Sequence, residues 1–189
     1  MAENAWRTFS KDSPGLPAAV RKEARSKDAW SCLHQRVRGV DMWAVSIRGT
    51  SLSAGGGASY PVAYVTIYLR HSRAPKDLPG INLQPRYPIG QILADRGLPW
   101  GLGHRTGDLA FDRAFRVHAR SRTRALSLLN EHVRADTLKE AAAGWRLKNG
   151  TLIIRPNKAT SADSVDSAVI DACVRIATHL TAPSTAGKA

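Results

Sequence analysis

The stretch from Phe111 to Leu126, FDRAFRVHARSRTRAL, holds five arginines (Arg113, Arg116, Arg120, Arg122, Arg124) and His118, with Asp112 as its one acid. Guanidinium groups present planar forks of donors that match phosphate and carboxylate, so such a run is a candidate polyanion contact. Arg146 and Lys148, in WRLK, extend the candidate set. A compositional explanation competes with the functional one. Of the 28 basic residues 20 are arginine, and a genome rich in G and C drives codons toward Arg and Ala whatever the function. At the level of sequence both explanations stand.

Other chemistry is sparse. The six histidines are His34, His71, His104, His118, His132 and His179. None pairs with another His, Cys or carboxylate at metal-ligand spacing on one expected face. The chain has no HExxH, GxSxG or DxD pattern. Ser31, Cys32 and His34 lie too close along the chain to argue for a nucleophile and its base. Gly55, Gly56 and Gly57 are followed by Tyr60-Pro61 and a strand, where a phosphate loop needs Lys and Ser or Thr opening a helix. They are expected at a hairpin tip. Asp112 is expected to serve structure, capping a bulge or receiving Arg113 or Arg146. No catalytic residue, metal or cofactor is expected, and the chain is not expected to be an enzyme.

These residues need elements to hold them. CLHQRVRG and MWAVSIRG alternate with period two, as half-buried strands do, with Val40 and Asp41 as the turn between them. In the second run Trp43, Val45 and Ile47 point one way, Ala44, Ser46 and Arg48 the other. VAYVTIYL is rich in β-branched and aromatic residues and is the strongest strand. INLQP is a short strand, and IGQILADRG is expected to make a helical turn or two. In FRVHAR, Phe115, Val117 and Ala119 share one face and Arg116, His118 and Arg120 the other. Ser121 is the expected N-cap of a helix carrying Arg122 and Arg124 in its first turn. Its apolar stripe is Ala125, Leu126, Leu129, Val133 and Leu138, with Asn130 capping a second piece and Gly144 as a stop. Asn149-Gly150 between WRLK and TLIIR signals a two-residue hairpin turn. Thr160 and Asp163 form a capping-box pattern ahead of Val165, Val169, Cys173, Ile176 and Leu180 at helical spacing.

The resulting order lacks regular strand–helix alternation, which points to an α+β fold. We expect a mainly antiparallel sheet of about six or seven strands with two main helices packed on one face. Residues 1–31 read as a lead-in with a short, loosely docked helix (Leu16, Val20, Ala24). Residues 32–181 read as a single α+β domain, and 182–189 as a disordered tail. The core is expected from Trp43, Val45, Val65, Ile67, Phe115, Val117, Leu129, Trp145, Leu152, Ile154, Val169, Ile176 and Leu180.

Length and composition agree with a globular domain. The chain has 189 residues, 43% of them hydrophobic, and a net charge of +13. Residues 111–158 alone carry +7, so the excess lies within the domain and not in a basic tail. Cys32 and Cys173 sit far apart without metal spacing, and Cys173 falls on an apolar helix face, as core thiols of a reducing compartment do. No run reaches the roughly 18 apolar residues that span a bilayer, and the N-terminus lacks an apolar signal core. No membrane span and a cytoplasmic location are expected.

RGVDMWAVSIRGT…YPVAYVTIYL and GDLAFDRAFRVHARSRTRALSLLNEHVRADTLKEAAAGWRLKNGTLIIR resemble a widespread domain of high-GC Gram-positive bacteria. That family runs from a Gly-led strand and a Gly/Ser-rich hairpin to an FDxxFxV strand, an AxxLL helix and a WxLxxGxL-type hairpin. The matching positions are Gly39, Trp43 and Ala44; Ile81, Leu83 and Pro85; Phe111, Asp112, Phe115 and Val117; Ala125, Leu128 and Leu129; and Trp145, Leu147, Gly150 and Leu152. The likeness covers roughly residues 32–180. It implies a domain of unknown function without assigned activity or catalytic residues. Many members carry a preceding membrane segment, which the residues here do not contain.

The functional expectation is a non-enzymatic interaction or regulatory module with a protein partner of unknown identity and weak, non-specific polyanion affinity. The alternative is a basic nucleic-acid-binding protein that uses the arginine-rich strand and helix start around 113–124. RNA-binding sheets interleave aromatics for stacking, which this outer face lacks.

Overall fold

The computed structural model describes residues 6–52, 59–75, 77–86, 103–140, 144–156 and 159–180. The chain opens with β1 (Arg7–Thr8) and α1 (Ala18–Ala24). β2 (Ala29–Val37), β3 (Val40–Leu52), β4 (Ser59–His71) and β5 (Ile81–Pro85) follow. Then come α2 (Leu109–Ala114), β6 (Phe115–Ala119), α3 (Arg122–Leu128) and α4 (Glu131–Glu140). β7 (Trp145–Lys148), β8 (Thr151–Ile154), a 3₁₀ turn (Ala162–Ser164) and α5 (Ser167–His179) close the described chain.

The strands form one sheet in the order β1-β2-β3-β4-β8-β7-β5-β6, with every pairing antiparallel. The α+β class stands, with eight strands where six or seven were expected. The addition is β1, whose two residues pair with Leu33 and His34 of β2. Two residues are too few to show alternation. The β7–β8 hairpin inserts between β4 and β5. Asn149 (φ 50°) and Gly150 (φ 70°) form its turn, as Asn-Gly predicts, with Lys148 opposite Thr151.

The β2–β3 turn is a correction. It falls on Arg38 (φ 50°) and Gly39 (φ 79°), with Val37 opposite Val40, and not on Val40-Asp41. A turn with two positive φ values favours glycine and excludes a β-branched residue, so Val40 joins the strand and is fully buried.

The register builds two cores. One row, Ile67–Ile154–Trp145–Leu83–Val117, crosses five strands, and Leu69–Leu152–Leu147–Ile81–Ala119 runs beside it. Phe111 of α2, Ala125 of α3, Val133 of α4, and Cys173 and Ile176 of α5 belong to the same cluster. These four helices therefore lie on one face. The second face carries a separate cluster, Trp43, Val45, Ile47 and Tyr68 under Leu16, Val20 and Ala24 of α1. The expected loose docking of α1 is thus corrected: Val20 is wholly buried. β3 is buried on both faces, not one, since Ala44 and Ser46 face the first core. All the expected core residues are buried except Val169, which is only partly so.

Helix ends account for other differences. α5 starts at Ser167, capped by Asp166 Oδ1 accepting from Ala168 N at 2.9 Å, and not at Thr160. Ser164 instead gathers the preceding turn, its Oγ accepting from Thr160 N and Ser161 N. Ser121 occupies the N-cap of α3 without a side-chain cap bond, whereas Asn130 Oδ1 does cap α4, accepting from Val133 N at 3.0 Å. Leu138 is exposed and Thr137 takes its inward place, because the Thr137 hydroxyl is hydrogen-bonded on both sides. Phe111-Asp112 lies in helix α2 and not in the strand, which begins at Phe115. Gly55–Gly57, IGQILADRG and the 182–189 tail fall outside the described residues.

Candidate polyanion interface

α1 covers the second sheet face only as far as β8, where Ile153 packs against its cluster. Beyond Ile153 the same face continues across β7, β5 and β6. The register sets Ile153, Arg146, Asn82 and His118 side by side in one row. Gln84 stands opposite Arg116 in the next. Lys148 lies two residues along β7 from Arg146, on the same face. Arg146, Lys148 and Gln84 are exposed, and Arg116, His118 and Asn82 partly so. Among the described residues, β5, β6 and β7 carry no carboxylate.

The eight sequence candidates are therefore divided. Arg116, His118, Arg146 and Lys148 share the open face. Arg113 on α2 and Arg122 and Arg124 on α3 belong to the helical layer behind the sheet, since Phe111 and Ala125 are buried in the first core. Arg124 donates there to Asp77 O at 2.8 Å and approaches Asp77 Oδ2 at 3.4 Å. Arg120 is exposed just past the end of β6. The continuous patch suggested by the sequence is corrected to two surfaces, because a strand and the helix after it pack on different sides of one core.

Asp112 holds a turn. Its carboxylate accepts from Thr106 N at 2.9 Å, Thr106 Oγ1 at 2.9 Å and Gly107 N at 3.2 Å, holding the turn before α2. Asp108 caps that helix, accepting from Phe111 N at 3.1 Å and from Arg134 Nε at 3.1 Å. The Phe111 N–H, followed by Arg134, holds its carboxyl below the usual range.

β6 is a sheet edge, and its outward carbonyls are closed. Arg86 Nε donates to Phe115 O at 3.2 Å and to Asp112 O at 2.8 Å. His104 N donates to Val117 O at 2.8 Å, and the His104 ring lies 2.9 Å from Ala119 O. Open edges template strand addition, so these contacts blunt the edge. They also gather cations. Burial lowers the Arg86 pKa, and Arg116 and Arg105 lower it further against the pull of Asp112. Burial likewise lowers that of His118, followed by Arg116, His104 and Arg86. The rim of β6 is thus a site of like-charge repulsion.

Sequence reasoning missed Arg86, His104, Arg105, Asn82 and Gln84. Asn82 and Gln84 were legible as the outward positions of INLQP, since alternation places them opposite Ile81 and Leu83. His104 and Arg105 sit in a loop without periodicity, so only tertiary contact reveals them.

Elsewhere, Glu23 of α1 accepts from Thr66 Oγ1 at 3.0 Å and from the Tyr68 hydroxyl, and pairs with Arg155 Nη2 at 3.4 Å. Burial outweighs these partners and raises its pKa. Both cysteines are free, and burial pushes the Cys173 thiol up to about 12, so that it behaves as an apolar filler. No cluster of three or more His, Cys, Asp or Glu suited to a metal occurs among the described residues. A dimple between Leu69, His71, Leu78, Leu147 and Leu180 holds about 10 Å³, the room of one water. No described helix is long and apolar enough to cross a membrane.

Fold and surface together define an α+β domain with one basic half-sheet on which α1 does not lie. No protein-family model matches the chain, and neither a curated protein nor a solved structure matches it.

Proposed function

We propose that the protein is a non-enzymatic interaction module whose contact surface is the uncovered half of the sheet, and that its partners are acidic macromolecules. One observation carries this reading: Arg116, His118, Arg146 and Lys148 share one face, His118 and Arg146 level across Asn82, with no carboxylate on the described β5, β6 or β7. A cationic surface whose strands carry no carboxylate among the described residues gains from any polyanion that releases its counterions there.

A heparin oligosaccharide tests the reading as a partner-neutral polyanion. The protein should bind it at low salt with an affinity that falls steeply as salt rises. Replacing Arg116, Arg146 and Lys148 together by Ala should weaken binding at least tenfold while leaving the denaturation midpoint in place. Binding unaffected by the three substitutions, or none at low salt, overturns the proposal.

A further inference from the structure

We infer that the polyanion is the backbone of a nucleic-acid duplex, gripped by basic side chains on two strands, β6 and β7, with the neutral amides of β5 between them. The inference rests on the polyanion reading above and narrows it. The arrangement follows from the register: His118 on β6 and Arg146 on β7 stand level across Asn82 of β5, with Arg116 one step to one side, opposite Gln84, and Lys148 one step to the other along β7. Neighbouring strands lie about 4.8 Å apart, so β6 and β7 are about 10 Å apart. Along each strand, residues on one face recur at about 6.7 Å. The duplex presents two phosphate backbones flanking grooves of about 6 and about 12 Å, and the spacing of β6 and β7 falls between these widths. Amides between the two strands can donate to and accept from groove edges without adding charge.

Three observations set this ligand against its rivals. A single strand has one backbone, needs one row of cations, and is held largely by base stacking on aromatic rings. On β5, β6 and β7 the outward ring is His118 alone. The aromatics at the far end of the face are engaged, Tyr64 under Arg155 at 4.9 Å and Tyr68 with Glu23. An extended acidic peptide would add to the β6 edge, but Arg86 and His104 already occupy the carbonyls of Phe115, Val117 and Ala119. The same two residues, with Arg105, add to the basic groups beside β6 and leave the face itself as the contact.

The test compares a duplex with a single strand carrying the same number of phosphates, with heparin as reference, across a salt series. The duplex should bind at about 10⁻⁴–10⁻⁶ M near physiological salt, without sequence preference. It should bind at least tenfold tighter than the single strand. Two double variants probe the two strands: Arg116→Ala with His118→Ala, and Arg146→Ala with Lys148→Ala. Each should weaken duplex binding and lower the salt slope by about one per lost phosphate contact. Equal or tighter single-strand binding overturns the inference, as does insensitivity of the duplex to either double variant. If heparin still binds through these residues in that case, the duplex inference alone has failed. If heparin binding is also indifferent to them, the interaction-surface reading fails with it.

Discussion

Trp145 stands mid-row in the first core, 3% exposed, and ties the sheet to the helical layer. Its indole Nε1–H donates to Thr137 Oγ1 at 3.0 Å, and the Thr137 hydroxyl donates to Val133 O at 2.7 Å. Thr137 is wholly buried, so this link between β7 and α4 lies out of water. Thr137→Val preserves shape and removes the acceptor, stranding the indole N–H at a cost of about 1–3 kcal/mol. Trp145→Phe removes the donor and part of the ring, and the partly filled space costs about 1–3 kcal/mol. In the double variant no donor is stranded, so its loss should fall short of the sum by about 1 kcal/mol. Guanidinium melts of the four proteins, read by circular dichroism, measure the cycle. A coupling within the additivity error of about 0.5 kcal/mol would refute the assigned link. Trp145→Ala sets the scale at about 3–5 kcal/mol, and a loss below about 1 kcal/mol would mean that the inward face was misassigned.

Gly144 has φ 73°, and a Cβ there would lie 2.3 Å from Leu83 O, so Gly144→Ala should cost more than the roughly 1–2 kcal/mol of a left-handed residue alone; denaturant melts matching wild type would contradict this. Ser46 Oγ is buried without a partner among the described residues, so Ser46→Ala should be neutral or stabilising by up to about 1 kcal/mol in the same melts, and a clear loss would point to a hydrogen bond there. The pKa of Glu23 is raised on folding, so the native state holds the proton longer and stability falls as pH rises from about 4.5 through the raised value; Glu23→Gln should flatten that slope in melts taken between pH 4 and 7. The pKa of His118 is lowered, so its contribution to stability falls as pH drops below 6.5, whereas a bound polyanion offsets the field of Arg116, His104 and Arg86 and favours its protonation. Heparin affinity should therefore rise as pH falls below 6.5, and His118→Gln should remove that part of the rise.

Much of the fold was legible because alternation and turn chemistry are local. The β7–β8 hairpin follows from Asn149-Gly150, and the inward set Phe115, Val117, Trp145, Leu152 and Ile154 follows from period two. What escaped depends on partners distant in sequence. β1 exists because Leu33 and His34 offer it an edge, not because Arg7 and Thr8 have strong strand propensity. The two-sided burial of β3 requires α1, whose stripe of Leu16, Val20 and Ala24 looked too thin to dock until Trp43, Val45 and Ile47 supplied its other half. The arginine cluster read as one patch because residues 113–124 are contiguous. In space it is split by the sheet that the same segment helps to build.

That split separates stability from contact. Along β6 the odd positions Phe115 and Val117 hold the core, while Arg116 and His118 project from the other side. β7 repeats the arrangement with Trp145 and Leu147 against Arg146 and Lys148. Because the sheet lies between them, removing an outward cation neither opens a cavity nor strands a buried donor. The outward positions are free to carry charge that the first core would exclude. Burial differs on the other half of the same face, where α1 seals Trp43 and Val45 and its Glu23 carboxylate is held by Thr66, Tyr68 and Arg155. One continuous sheet thus changes character at Ile153, from a surface that α1 covers to one that carries polar and basic side chains.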